Sequence, residues 1–194
     1  MKIDCLEVAF LERSIASSRL AMLTDFPKTQ EEILEIYEKQ LPVAKTLTQN
    51  PRGEGHDNFL HGIIVRFYLT ASNKFWTEFQ RYHFAEFVTS QSTMHRASKF
   101  DLGISMNENV TDEMKLIIGR YQLEYLQNKT SENYMRLLYN LPSGFELTAD
   151  IVTNYGQIKT MIKQRKNHRL QEWKDFCTHM EENLPLFKEL HIGE

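Results

Sequence analysis

The stretch Asn73-Lys-Phe-Trp-Thr-Glu-Phe-Gln-Arg-Tyr-His-Phe-Ala-Glu-Phe-Val-Thr-Ser-Gln-Ser-Thr-Met-His-Arg96 decides how the chain is read. It opens with the pattern of an amphipathic helix, Phe75, Phe79, Tyr82 and Phe87 making one apolar face with Trp76 and His83 beside it. It then runs, without a Gly or Pro, into a cluster of hydroxyls, amides and bases. Gln80, Arg81, His83, Ser90, Gln91, Ser92, His95 and Arg96 together carry more hydrogen-bonding chemistry than a core-packing helix needs. A solvated polar helix end is the plain alternative, and the rest of the chain decides between the two.

Just before it, Phe59 to Leu69 is rich in β-branched and aromatic residues and predicts a strand. Beyond it, Thr111 to about Gln127 and Ser131 to about Tyr139 predict helices, separated by Leu141-Pro-Ser-Gly from a second strand, Phe145 to Val152. Asn154 or Thr153 caps a further helix carrying Ile158, Met161 and Ile162, and a last one spans about Leu170 to Leu184 with Trp173, Phe176 and Cys177 facing inward. Towards the N-terminus the apolar spacing predicts a helix over Leu6–Leu23. A second helix, from Gln30 to about Lys39, should stop near Pro42. Thr46 to His56, with two glycines beside a histidine, reads as a loop. Many helices with two clear strands give an α+β fold, a small and mostly antiparallel sheet completed by weaker strands or partner subunits and flanked by long helices. No linker or repeat divides residues 1–194, so a single domain is expected.

Charged residues are 25 % and hydrophobic ones 41 %, with a net charge of −3, so no global basic field recruits nucleic acid or an anionic membrane. Any anionic ligand must be held by a local cluster of bases. No apolar run approaches the roughly 20 residues of a membrane span, and acids stand where a signal peptide would be hydrophobic. A cytoplasmic protein is expected, with Cys5 and Cys177 as buried, reduced thiols. The histidines lack metal-ligand spacing, so no metal is assigned. Two basic clusters remain, Arg81/His83/His95/Arg96 and Lys163/Arg165/Lys166/His168/Arg169, each expected at a helix end where arginine and backbone N–H groups can hold phosphate.

The order of these residues resembles the flavin-dependent thymidylate synthases. His56 precedes the strand, Arg81-Tyr82-His83 stands where that family has Arg-His-Arg, and Thr89-Ser-Gln-Ser92 is similar to its polar stretch. A second block is matched by Arg136, Leu141-Pro142, Asn154, Arg165 and Gln171. The resemblance covers roughly residues 50 to 175. It implies a homotetramer binding FAD and dUMP where subunits meet, with methylene-tetrahydrofolate and NADPH as co-substrates and a one-carbon unit transferred to C5 of dUMP. By that likeness His56, Arg81, Tyr82, His83 and Asn154 lie against the flavin. Gln80, Ser90, Gln91, Ser92, His95, Arg96, Arg136, Arg165 and Gln171 form the nucleotide side, Arg136 reaching in from a neighbouring subunit. Arg165 and Ser92 are the implied catalytic residues, and no protein nucleophile is required. The chain departs from the family at Tyr82 and His83, and at Met94 and His95, where an Arg-Tyr pair is expected. A homologue that binds nucleotide or flavin without the chemistry, or one with a different one-carbon modification of a pyrimidine nucleotide, is therefore the alternative.

Overall fold

The computed structural model describes residues 1–50 and 54–191. The fold is α+β, a four-stranded, mostly antiparallel sheet in the order β1-β2-β4-β3 with helices around it. The strands are β1 (Lys2–Ala9), β2 (Ile64–Ser72), β3 (Glu86–Ser90) and β4 (Glu146–Asn154). The helices are α1 (Leu11–Ser17), α2 (Gln30–Leu47), α3 (Asn73–Phe79), α4 (Thr93–Arg96), α5 (Asp112–Gln127), α6 (Ser131–Tyr139), α7 (Tyr155–Arg165), α8 (Gln171–Asn183) and α9 (Phe187–His191). The central strand β2 alternates as a half-buried strand must, with Val65, Phe67, Leu69 and Ala71 buried and Arg66 and Tyr68 exposed.

The chain divides into two compact units. The first comprises residues 1–4, 68–81 and 87–151. Its core gathers Ala97, Met106, Val110, Ile118, Leu137 and Phe145, with Phe100 edge-on to Phe145. Trp76 of α3 donates from its indole to the Leu147 carbonyl at 3.1 Å, fastening the helix to β4. The second unit comprises residues 5–67, 82–86 and 152–194. Tyr155 and Phe187 meet edge-on there, Phe67 packs on Phe176, and α1 lies against α2.

Caps follow their sequence signals. Thr29 and Glu32 form a reciprocal capping box at α2, Thr111 caps α5, Thr130 caps α6 and Asn154 caps α7. Five expectations fail. The strand expected from Phe59 begins only at Ile64, because Asn58–Gly62 winds into a 3-10 helix, and it runs on to Ser72. The helix over Leu6–Leu23 is instead β1 followed by the short α1. Leu6 and Val8 lie half-covered on one face of an edge strand, and Phe10, at φ 64°, turns the chain between the two. Helix α2 runs through Pro42 to Leu47, because its buried Gln40 and Ala44 anchor it on both sides of the proline. The helix opening at Asn73 stops at Phe79, and Glu86–Ser90 pairs with β4, so Phe87 lies on a strand and not on the helix face. Cys5 is exposed, whereas Cys177 is buried. The Pro51–Gly53 part of the expected loop lies outside the described residues. Among the described residues, no helix is long and apolar enough to cross a membrane.

Candidate functional site

In the first unit, Gln91, Ser92, His95, Arg96, Lys99 and Phe100 line one cavity of about 720 Å³. The local fold explains why. After β3, the one-turn α4 passes directly into a 3-10 turn at Ala97–Lys99. Residues 92, 95, 96 and 99 stand at i, i+3, i+4 and i+7, and although the backbone leaves the helical region at Arg96 (φ −131°), all four form one stripe along the cavity. Met94 lies off that stripe and is exposed.

The stretch is held at three points. Gln91 donates its backbone N–H to the Thr148 carbonyl, and its side-chain oxygen accepts from Thr148 N–H, both at 2.9 Å. The Tyr134 hydroxyl donates to the Thr93 carbonyl at 2.9 Å, and the Gln122 amide to the Phe100 carbonyl at 2.9 Å. Such anchoring fixes the backbone that carries His95, Arg96 and Lys99, whose side chains are exposed.

The side chains of His95, Arg96 and Lys99 have no hydrogen-bond or ion-pair partner among the described residues, and no carboxylate lines the cavity. The Ser92 hydroxyl is not used as a helix cap. The arrangement presents fixed positive charge with a hydroxyl and an amide, the donor set that holds a phosphate or similar anion. Because α4 is a single turn, the work falls to side chains and not to the long helix end expected from the sequence.

Other expected residues are placed apart from this cavity. Gln80 caps α3 at its C-terminal end, and Gln80, Arg81 and Ser90 are exposed. Arg136 pairs with Glu124 at 3.4 Å and Glu132 at 3.5 Å, so carboxylates of its own chain already engage it.

In the second unit, Arg165 closes α7 above an aromatic pair. Its Nε donates to the Tyr82 hydroxyl at 2.9 Å, and its guanidinium carbon lies 5.0 Å from the Trp173 ring centroid. The Tyr82 hydroxyl donates in turn to Gln164 Oε1 at 3.0 Å. Tyr82, expected on the flavin side, thus bonds Arg165, expected on the nucleotide side. Asn154 is buried, its side-chain oxygen accepting from Gln157 N–H at 2.9 Å as the cap of α7. Gln171 donates to Asp175 at 2.8 Å, Lys166 pairs with Glu181 at 3.6 Å, and His56 stands exposed beside Glu54 at 3.8 Å. His83 is exposed. The second basic cluster is therefore largely engaged within the protein.

Two features escaped the sequence reading. One is Lys99 with Phe100, legible only as the continuation of the Ser92–His95–Arg96 spacing. The other is a cavity of about 370 Å³ lined by Phe10, Arg13, Ser14, Ser17, Asn58, Phe59 and Gly62. Ser14 is 7 % exposed, yet its hydroxyl has no partner among the described residues. A Cβ at Gly62 would stand 2.6 Å from that hydroxyl, so only glycine leaves the approach open.

No protein-family model matches the chain, and no curated protein matches it. Solved structures do match. A crystal structure of flavin-dependent thymidylate synthase ThyX from Helicobacter pylori, complexed with FAD and dUMP, aligns with a TM-score of 0.70 at 12 % identity, over 100 % of this chain and 98 % of that one. A second crystal structure of the Helicobacter pylori enzyme, also with FAD and dUMP, aligns with a TM-score of 0.72 at 10 % identity, over 98 % and 97 %. The chain has the fold of ThyX along its whole length.

Proposed function

We propose that the protein is a divergent flavin-dependent enzyme that transfers a one-carbon unit to C5 of dUMP, working as one functional domain in a cytoplasmic homotetramer. The observation that carries the reading is the cavity lined by Ser92 and by the bases His95, Arg96 and Lys99, which have no partner among the described residues, on a fold whose solved examples are complexed with FAD and dUMP. In this reading Ser92, His95 and Arg96, with Gln91, hold the nucleotide phosphate, and Gln80, Ser90, Arg136 and Gln171 contribute at its margins. Arg165 faces the uracil ring, where a fixed cation stabilises the negative charge that builds as C5 becomes nucleophilic. Exposed Leu116, Leu123 and Leu126 along α5 are consistent with burial against further copies.

For the cofactor, one cavity offers suitable donors, and none of the residues that the family likeness sets against the flavin lines it. The cavity at Phe10, Arg13, Ser14, Ser17, Asn58 and Phe59 joins two phenyl rings to a cation and a buried hydroxyl without a partner among the described residues, a set suited to a phosphorylated aromatic group such as FAD. His56, Arg81, Tyr82, His83 and Asn154 are assigned to the flavin side by the same likeness. Bound FAD would supply the reducing equivalents, NADPH replenishing them and methylene-tetrahydrofolate providing the carbon.

The test is direct. Protein reconstituted with FAD should be yellow after desalting and should release tritium from C5-labelled dUMP in a folate-dependent manner. Colourless protein inert in that assay overturns the reading. A second reading, a nucleotide-binding homologue without the chemistry, is favoured by Arg136 held between two carboxylates and Asn154 used as a cap. It requires dUMP to raise Tm without FAD and no tritium release under any condition.

A further inference from the structure

We infer that Lys99 is the second fixed cation of the anion cavity and makes it selective for a phosphomonoester dianion over a singly charged ligand; this rests on the nucleotide reading above. Arg96 is the last residue of α4 and the N-cap of the 3-10 turn that Lys99 ends, so the two bases stand at opposite ends of a single turn. Both line the cavity. Neither has a partner for its side chain among the described residues, and no carboxylate lies on the lining to neutralise either charge. Met94, which does not line the cavity, supplies no charge.

One fixed cation satisfies a carboxylate or a phosphodiester. Two adjacent ones, on a segment pinned on either side at Thr93 by Tyr134 and at Phe100 by Gln122, match a group that carries nearly two negative charges at neutral pH, as a phosphomonoester does. Lys99 acts as a point charge, whereas Arg96 offers the planar fork. The ligand class that follows is a 5′-monophosphate. A nucleoside, a cyclic phosphate or a phosphate diester would leave one cation of the pair unsatisfied in the cavity.

The experiment is calorimetric titration of the intact protein with dUMP, its 5′-methyl phosphate ester and deoxyuridine, for wild type, Lys99→Met and Lys99→Arg. Wild type should prefer dUMP over the methyl ester by about tenfold or more, the scale of one charge-assisted hydrogen bond. Lys99→Met should bring the two affinities together, and Lys99→Arg should restore most of the difference. Wild-type preference retained in Lys99→Met overturns the inference and leaves the nucleotide reading standing. If wild type binds none of the three, the nucleotide reading fails. Titration with inorganic phosphate then decides the inference: Lys99-dependent binding supports an anion site, and no binding overturns it. Circular dichroism of each variant identifies loss through unfolding, in which case Lys99→Gln takes the place of Lys99→Met.

Discussion

Arg165 donates its Nε hydrogen to the Tyr82 hydroxyl at 2.9 Å while its guanidinium covers the Trp173 ring. The tyrosine therefore aims the arginine, and its own hydrogen goes to Gln164. Tyr82→Phe keeps the ring on Trp173 and removes both bonds. It should cost about 1–2 kcal/mol in urea unfolding, the ordinary worth of a partly buried charge-assisted hydrogen bond. If Arg165 acts on the uracil ring, tritium release should fall by about tenfold or more with the dUMP Kd little changed, because orientation and not binding is lost. Unchanged stability and turnover would show that the contact aims nothing.

Arg96→Gln removes a cation that meets no carboxylate among the described residues. The dUMP Kd should rise roughly 10- to 100-fold. Its dependence on salt should flatten, since fewer charges are then screened on binding. Titrations at two salt concentrations measure both, and an unaltered slope would place the phosphate elsewhere.

Lys159 is a buried cation, 8 % exposed, whose ammonium donates to the Thr48 carbonyl at 2.9 Å and to Asp57 at 3.4 Å. Lys159→Met leaves the Asp57 carboxylate buried without its counter-charge. The expected loss is about 3 kcal/mol, or roughly 10 °C in Tm. Adding Asp57→Asn should recover part of it. A double variant no better than the single one would mean that the pair is not coupled.

Burial pushes the Cys177 thiol up to about 12, with Glu181 adding in the same direction. Burial also raises the Tyr155 hydroxyl, which donates to the Pro185 carbonyl at 2.7 Å. For Cys177 the native state keeps its proton where the unfolded chain has lost it, so the stability it contributes is complete below about pH 8.5 and declines from there towards 12. Urea midpoints should fall steadily across that window and fall less in Cys177→Ala. The exposed Cys5 should react with a thiol reagent in a fast phase near pH 8, with Cys177 following only on unfolding.

The two central strands and the helices α5 to α8 were legible because Val65, Phe67 and Leu69 alternate cleanly and Thr111, Thr130 and Asn154 are strong caps. The edge strands were not. Leu6 and Val8 can be spaced as helix or strand until the neighbouring strand is known, and all five residues of β3 are exposed, so no burial pattern marks it. Within the site, Ser92, His95 and Arg96 could be named from their chemistry. Lys99 could not, since a lone surface lysine carries no signal until the backbone sets it on the same stripe. The bond from Arg165 to Tyr82 joins residues 83 apart in sequence, which no local pattern reveals.

The hydroxyls of Thr70 on β2 and Thr148 on β4 are 2.7 Å apart although 78 residues separate them in sequence. Their strands are neighbours in the sheet, yet α3, β3, α4, α5 and α6 all lie between them along the chain. Closing so long a loop costs entropy before the pairing returns any stability, and topologies of this kind fold slowly. The sheet should therefore form late, after local helices such as α5 and α6, and refolding should take milliseconds to seconds rather than microseconds. During synthesis, β2 emerges well before β4 exists to cover it and must wait with its edge open.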